Sequence, residues 1–281
     1  MALIIAALII LPAMDAIAKL LSNHLPSLEI AWARFLFHSA IMIPLALWQH
    51  GGRVLRPARP LLQAVRGLLL AGSALMFFFA ISRMPLADAM AVFFIFPLLI
   101  LIASTLMLGE ASSWMRWLLV GLGFAGAALA AQPTLAGVSA GTPFAAAAAF
   151  AYAAALMVTR RLSSDDPSLV TSALSAGIGV LVFCCGVVFV WTAPTPRDWL
   201  LMAVMGALAA IGHFLIVAAH RLATASQLAP FGYTEIASAV IFGFLLFGDW
   251  PKPTVWMGIL LIVASGMGAT WREANAGRRA R

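Results

Sequence analysis

The sequence predicts an all-α integral membrane protein with ten transmembrane helices arranged as two inverted five-helix repeats. Three observations lead to this fold class: an extreme composition, long apolar runs separated by short polar segments, and a weak internal repeat. Of the 281 residues, 63% are hydrophobic and only 10% are charged, and the mean hydropathy is +1.02. Soluble domains carry about 25% charged residues, so this chain has too few of them to cover a water-exposed surface.

The apolar runs predict where the helices lie. A helix needs about 20 apolar residues to cross a bilayer, and runs of this kind recur along the chain. They are continuous, as in Leu68–Ile81, rather than alternating as in a β-barrel. No basic residue precedes the first run, so we interpret it as a helix rather than a cleaved signal peptide. The predicted spans are 2–21, 29–48, 61–82, 86–108, 113–131, 142–160, 169–192, 198–220, 225–247 and 253–271.

Basic residues lie mostly on one side of the predicted bundle. With the N-terminus in the cytoplasm, the opposite side holds only Arg83, Arg197 and Lys252, whereas Lys19 and Arg34 lie within spans. The twelve basic residues on the cytoplasmic side are Arg53, Arg56, Arg59, Arg66, Arg116, Arg160, Arg161, Arg221, Arg272, Arg278, Arg279 and Arg281. This bias predicts cytoplasmic termini by the positive-inside rule. The net charge of +7 therefore indicates membrane orientation rather than nucleic-acid binding.

The two halves of the chain resemble each other weakly at an offset of about 138 residues. Gly109-Glu110 followed by Trp117 recurs as Gly248-Asp249 followed by Trp256, with the same gap between the acid and the tryptophan. Five spans is an odd number, so the second half must enter the membrane in the opposite sense. Such inverted repeats are typical of secondary transporters, with the solute at the repeat interface. The predicted domains are a first repeat over 1–135, a second over 136–271 and a basic tail over 272–281.

Short motifs add a family resemblance. The segments Arg83–Pro97, Leu108-Gly-Glu110 and Phe247-Gly-Asp-Trp-Pro251 resemble the drug/metabolite transporter superfamily, in its ten-helix branch with two EamA-type repeats. One departure is that Ile236 stands in the ninth span at the position equivalent to Pro97. Within the superfamily the chain is most similar to exporters of aromatic and other large neutral amino acids.

The resemblance implies a function and a location. It implies a secondary transporter that moves amino acids by alternating access, without a cofactor, in the cytoplasmic (inner) membrane of a bacterium. The partners would be a small amino-acid substrate and the lipid bilayer, and a homodimer is allowed. A carrier for another small metabolite or drug is the alternative, and a channel is a more distant one.

Ionisable groups inside the membrane are costly and are therefore functional candidates. Glu235 lies near the centre of span 225–247 without a basic residue one turn away, which suits reversible protonation or binding of a substrate ammonium group. His213 is the second candidate proton carrier. A structural, hydrogen-bonded role is the alternative for each, and no second ligand shares the helix face of His213 to form a metal site.

Three further charged residues are candidates for a gate. Asp15 and Lys19 are four residues apart, so they share a helix face and are expected to form an ion pair. The pair is either structural or part of a gate. Arg34 either snorkels toward the membrane surface near Glu29 or meets a substrate carboxylate.

Pro97 lies at the centre of the fourth span, where it removes a backbone hydrogen bond and predicts a kink. Interrupted helices often line transporter cavities, although proline also occurs in ordinary membrane helices. Aromatic residues at comparable depth form either an apolar cavity wall or ordinary packing. The complete predicted cavity is bounded by Phe78, Phe94, Phe96, Tyr152, His213 and Glu235.

Two other classes of protein are disfavoured by missing motifs. The sequence has no Gly-x-x-x-x-Gly-Lys-Ser/Thr loop to hold the phosphates of ATP. It also has no clustered His/Asp constellation or Gly-x-Ser-x-Gly turn typical of a hydrolytic enzyme. The sequence therefore favours a gradient-driven carrier.

Overall fold

The computed structural model describes residues 2–108, 114–130, 139–162, 166–222, 231 and 234–279. Within these ranges the backbone is helical or in short turns, with no β-strand. In chain order the helices are α1 Ala2–Leu21, α2 Ser27–His50, α3 Pro60–Ile81, α4 Leu86–Phe93, α5 Phe96–Leu108, α6 Trp114–Ala130, α7 Thr142–Leu162, α8 Ser168–Val187, α9 Pro196–Leu222, α10 Thr234–Phe247 and α11 Pro253–Arg279, with a 3₁₀ helix at Gly51–Leu55 after α2.

Ten apolar segments correspond to the ten predicted spans. Six are long and apolar enough to cross a membrane by themselves: α1, α2 with the 3₁₀ helix, α3, α7, α8 and α9. Four are shorter, namely Leu86–Ile100, Trp117–Ala130, Thr234–Phe247 and Pro253–Gly268. The predicted all-α membrane fold is therefore confirmed. The repeat residues Gly109 and Glu110 lie outside the described part of the chain.

Helix α10 begins at Thr234, and most of the predicted start of its span at 225–233 lies outside the described residues. Among the described helices, two ends differ from the predicted spans by more than a few residues. Helix α8 ends at Val187, before the predicted limit at 192, because the chain turns where the amide of Phe189 donates to the carbonyl of Gly186 at 3.2 Å. The apolar residues that follow α8 extended the prediction beyond this turn. Helix α11 continues to Arg279, through most of the segment predicted as a tail, because that segment is rich in good helix formers such as Ala and Arg.

The two halves pack on each other in matched pairs of helices. Helix α1 packs on α9, and its counterpart in the second half, α7, packs on α3. Helix α2 also packs on α9, and its counterpart α8 also packs on α3. Likewise α1 contacts α10 as α7 contacts α4 and α5. The pairs α2 with α8, α4 with α10 and α6 with α11 each join equivalent helices. These contacts have two-fold symmetry, and with five spans in each half the axis lies in the membrane plane.

Small residues permit the closest of these contacts. A Cβ atom added to Gly126 in α6 would lie 2.7 Å from the carbonyl oxygen of Gly258 in α11. No side chain fits in that space, so the two backbones touch directly. Close approach at small residues is the usual basis of helix association in lipid, and it makes α6 and α11 a packing unit away from the centre of the bundle.

The fourth span is interrupted at the predicted point. Helix α4 ends at Phe93, α5 begins at Phe96, and Pro97 lies in the first turn of α5. The amides of Leu98 and Leu99 both donate to the carbonyl of Ile95, at 3.0 and 3.1 Å. Proline is tolerated in a first helical turn because its missing N–H has no partner there. The chain therefore restarts a helix instead of bending one.

The bundle has two opposite faces. The exposed residues Arg53, Arg56 and Arg59 lie between α2 and α3, and we call this side the arginine face. The segment between α1 and α2, which includes His24, lies on the other side, which we call the His24 face.

Candidate substrate site

A cavity of about 120 Å³ lies between the two halves. Residues from α1, α2, α3, α4, α7, α8, α9 and α10 line it, so both repeats contribute. Its ionisable lining residues, apart from tyrosine, are Asp15, Arg34, His38, Arg66, His213 and Glu235. This concentration of polar groups is what a solute site at a repeat interface requires.

Most of the residues predicted for the site come together in this cavity. Phe78, Tyr152, His213 and Glu235 line it, as do the predicted gate residues Asp15 and Arg34. They come from six different helices, so their proximity is a result of the fold alone. Whether they bind a substrate stays a prediction.

Two predicted aromatic residues stand behind the cavity wall instead of in it. Phe94 and Phe96 are absent from the lining, although the ring of Phe96 lies 4.9 Å from that of Tyr152. Phe93 lines the cavity in their place, with its ring 5.1 Å from that of Phe77 and 5.4 Å from that of Tyr152. The helix breaks after Phe93, so the rings of Phe94 and Phe96 point in other directions than they would on a continuous helix. A prediction that treats 86–108 as one helix cannot show this difference.

Arg34 presents a guanidinium group without an acceptor. Its central carbon lies 5.1 Å from the ring centroid of Phe35 and 5.9 Å from that of Phe78. Its Nε is buried and makes no hydrogen bond. The described residues form no ion pair with Arg34 within 4 Å. The aromatic rings therefore hold the cation in place without neutralising it.

Arg66 lines the same cavity and was assigned by sequence to the cytoplasmic charge cluster. Its Nε donates to Oγ1 of Thr159 at 2.7 Å, and its Nη1 donates to the carbonyl of Thr171 at 3.2 Å and to Oγ of Ser175. The position of Arg66 along its helix could have predicted that it reaches the cavity. Arg66 lies six residues after Pro60, which is about 9 Å along a helix. That distance places it inside the bundle.

A pair of histidines joins α2 to α9. The rings of His38 and His213 are stacked, with centroids 5.4 Å apart and an interplanar angle of 5°. Both ring nitrogens of His38 are buried without a hydrogen-bond partner. The neighbour of His213 thus lies on another helix, which a search along its own helix face could not find. In the described ranges, no group of three or more His, Cys, Asp or Glu residues is placed to hold a metal ion.

The predicted ion pair between Asp15 and Lys19 is wrong. The Nζ of Lys19 lies 2.7 Å from Oδ2 of Asp249 and also donates to the carbonyl of Met84 at 3.3 Å. The two residues do share a helix face, but Asp15 is buried beside the cavity, whereas the long lysine side chain near the end of α1 reaches the second half. It also lies over the ring of Phe247, 4.8 Å from the centroid.

A hydrogen-bonded pair connects the halves at the His24 face. Nε2 of His24 lies 3.0 Å from Oδ1 of Asp198 in the first turn of α9. Nearby, Oε2 of Glu29 accepts a hydrogen bond from the amide of Thr192 at 3.0 Å. We call the first of these contacts the His24–Asp198 latch.

An equivalent contact connects the halves toward the arginine face. Nε2 of Gln63, in the first turn of α3, donates to Oδ2 of Asp166 at 2.9 Å, and the amide of Ala58 donates to Oδ1 of Asp166 at 3.2 Å. We call this the Gln63–Asp166 latch. Each latch joins the start of the third helix of one half to the segment between the first two helices of the other half. The cavity lies between two symmetry-related latches.

Two inverted five-helix repeats around a polar cavity define the architecture of a secondary transporter. The chain belongs to the EamA-like transporter family, whose pattern matches residues 1–132 and again residues 139–270. A solved crystal structure is similar over 98% of this chain and 97% of its own, with a TM-score of 0.69 and 21% identity. At that identity the likeness shows the fold alone.

Curated relatives cover most of the chain. The S-adenosylmethionine uptake transporter of Rickettsia bellii is 24% identical over 93% of this chain and 90% of its own. The riboflavin transporter of Brucella anthropi is 25% identical over 91% and 92%, and the pseudopaline exporter CntI of Pseudomonas aeruginosa is 27% identical over 89% and 89%. The family resemblance is therefore confirmed. The finer resemblance to amino-acid exporters has no support in the names of these relatives.

Proposed function

We propose that the protein is a secondary carrier for a zwitterionic metabolite with a large aromatic or heteroaromatic body. The observation that carries this proposal is the composition of the cavity. It brings the carboxylates Asp15 and Glu235 and the open guanidinium of Arg34 beside the rings of Phe77 and Phe78. A solute with a cationic group, a carboxylate and a planar ring has a matching partner for each part.

The names of the relatives suggest particular solutes that can be compared with the cavity. S-adenosylmethionine combines an α-amino acid end, a sulfonium cation and an adenine ring, so it fits both the charged groups and the aromatic wall. Aromatic amino acids are smaller members of the same class, and an amino-acid substrate stays a prediction. Riboflavin carries no pair of opposite charges, so it would leave Arg34 and both carboxylates of the cavity unmatched, at a high cost of desolvation.

Transport requires the cavity to change size. Its volume of about 120 Å³ is well below the 300–1,000 Å³ typical of sites for drug-sized ligands. The two halves would rock about the cavity so that one latch opens while its symmetry mate stays closed. We place the arginine face in the cytoplasm on the positive-inside rule, in the cytoplasmic membrane of a bacterium. A homodimer stays a prediction.

Counterflow in proteoliposomes tests this proposal. Vesicles loaded with unlabelled S-adenosylmethionine or tryptophan would be diluted into the labelled solute, with riboflavin as a third solute and protein-free vesicles as the control. We expect saturable counterflow of at least one zwitterion. Counterflow of riboflavin alone, or of no zwitterion, would contradict the proposal.

A further inference from the structure

We infer that Arg34 is the residue that binds the substrate carboxylate, and that the cationic group of the substrate lies toward Asp15 and Glu235. This inference rests on the proposed function and adds to it the orientation of the solute and a requirement for a carboxylate.

The first step is that only one of the two cavity arginines is available. The guanidinium of Arg66 already donates to oxygens of Thr159, Thr171 and Ser175, on helices α7 and α8. An arginine has five N–H donors in a fixed planar arrangement, and here three bonds fix that plane against the second half. Arg66 is therefore a positioning residue that joins α3 to α7 and α8.

The second step is that Arg34 is held open toward the cavity. Its guanidinium lies over Phe35 and Phe78, its Nε is buried, and no described residue accepts a hydrogen bond from it. A buried cation without a partner is costly. A carboxylate relieves that cost best, because its two oxygens match the two parallel N–H groups of a guanidinium. The geometry thus fits a ligand anion better than a structural ion pair.

The third step is the distribution of charge around Arg34. Its neighbour one turn along α2 is His38, which shares its helix face and stacks on His213. The carboxylates Asp15 and Glu235 come from α1 and α10, two helices that pack on each other. Arg34 and the two histidines therefore come from α2 and α9, whereas both carboxylates come from α1 and α10. The two charged ends of a zwitterion thus have partners on different helices.

The consequence is selection against solutes that lack a carboxylate. A decarboxylated analogue would keep the cation and the ring but leave Arg34 unpaired in a buried site. Sites built to hold a polar group reject analogues that lack it much more strongly than they reject small changes of shape.

The test measures competition by matched pairs of solutes in the counterflow assay. The pairs are S-adenosylmethionine with its decarboxylated analogue and tryptophan with tryptamine. In the wild type we expect the carboxylate-bearing member to compete about tenfold to a hundredfold better. In Arg34→Gln we expect that ratio to fall below about threefold, with Arg34→Lys intermediate because lysine keeps the charge without the planar fork.

Arg66→Gln is the matched control, because it also removes a cavity arginine. It should lower the rate of counterflow for both members of each pair and leave their ratio at the wild-type value. A ratio that persists in Arg34→Gln, or that collapses in Arg66→Gln instead, would overturn the inference.

Two outcomes separate this inference from the proposed function. In the first, the wild type shows saturable counterflow of zwitterions, but the carboxylate-bearing and decarboxylated members of each pair compete equally well. This result overturns the role of Arg34 and leaves the carrier function intact, and it is obtained with the wild-type protein alone. Absence of counterflow for every zwitterion overturns the proposed function itself, and the inference fails with it. A monodisperse elution profile for each variant confirms that a lost ratio reflects binding.

Discussion

Nζ of Lys19 lies 2.7 Å from Oδ2 of Asp249, 230 residues further along the chain. This ion pair joins the end of α1 in the first half to the segment after α10 in the second half. It lies on the same side of the bundle as the His24–Asp198 latch. Together the two contacts join the halves on the His24 face.

Breaking the ion pair should open the cavity toward the His24 face. We expect Lys19→Ala to increase the accessibility of the cavity from that side, by up to about fivefold for a partly exposed pair. The measurement is the labelling rate of a single cysteine at Ala74, a cavity residue, by an impermeant thiol reagent. Cys184 and Cys185 are free and exposed, so both are replaced by serine in the background. Combining Lys19→Asp with Asp249→Lys should restore slow labelling; equal rates in all forms would count against the contact.

The two latches should have opposite effects on access. Gln63→Ala should speed labelling at position 74 from the arginine face, because it removes the donor to Asp166. His24→Ala should speed labelling from the His24 face. Each variant is the control for the other, since they occupy symmetry-related places. If both variants opened the same face, the two-fold rocking of the halves would be wrong.

Glu235 is the candidate for proton coupling. It lines the cavity and forms no ion pair within the described residues. If it carries the proton, Glu235→Gln should reduce uptake driven by a pH gradient to less than about a tenth, measured relative to the counterflow rate of the same variant. Asp15→Asn also removes a cavity carboxylate, and it should lower uptake and counterflow together. Unchanged proton dependence in Glu235→Gln would eliminate this residue as the carrier of protons.

The contact between α6 and α11 should be sensitive to a single methyl group. Gly126→Ala places a carbon 2.7 Å from the carbonyl of Gly258, and such overpacking costs about 1–3 kcal/mol. Gly121 lies on the same helix with open space around its Cβ position, so Gly121→Ala should change stability by less than about 1 kcal/mol. Thermal unfolding in detergent measures both. Equal melting temperatures for the two variants would contradict the direct backbone contact.

Much of the fold could be predicted because its signals are local. The boundaries of α1 and α3 follow from apolar length and flanking polar residues, and the break at Pro97 follows from the missing amide of proline. The pseudo-two-fold arrangement followed from parity, since five spans must invert the second half. None of these inferences needed knowledge of which helices touch.

The details of the site depend on contacts that no local pattern shows. Phe93 replaces Phe94 and Phe96 in the cavity because the helix break changes the direction of the rings. Lys19 pairs with Asp249 rather than with Asp15 on its own helix, because the fold brings the distant carboxylate within 2.7 Å of Nζ. Arg66 was predicted to be a surface charge, because its own helix shows no partner for it. The three oxygens that accept its hydrogen bonds lie on two other helices.

Equilibrium binding of labelled S-adenosylmethionine to the purified protein tests the central claim most directly. A zwitterion site between the halves predicts saturable binding that unlabelled tryptophan displaces and that Arg34→Gln and Asp15→Asn weaken, each by about tenfold or more. Tryptamine and riboflavin should displace the label poorly. Binding that is unaffected by both substitutions, or displaced by riboflavin and by no zwitterion, would contradict the claim.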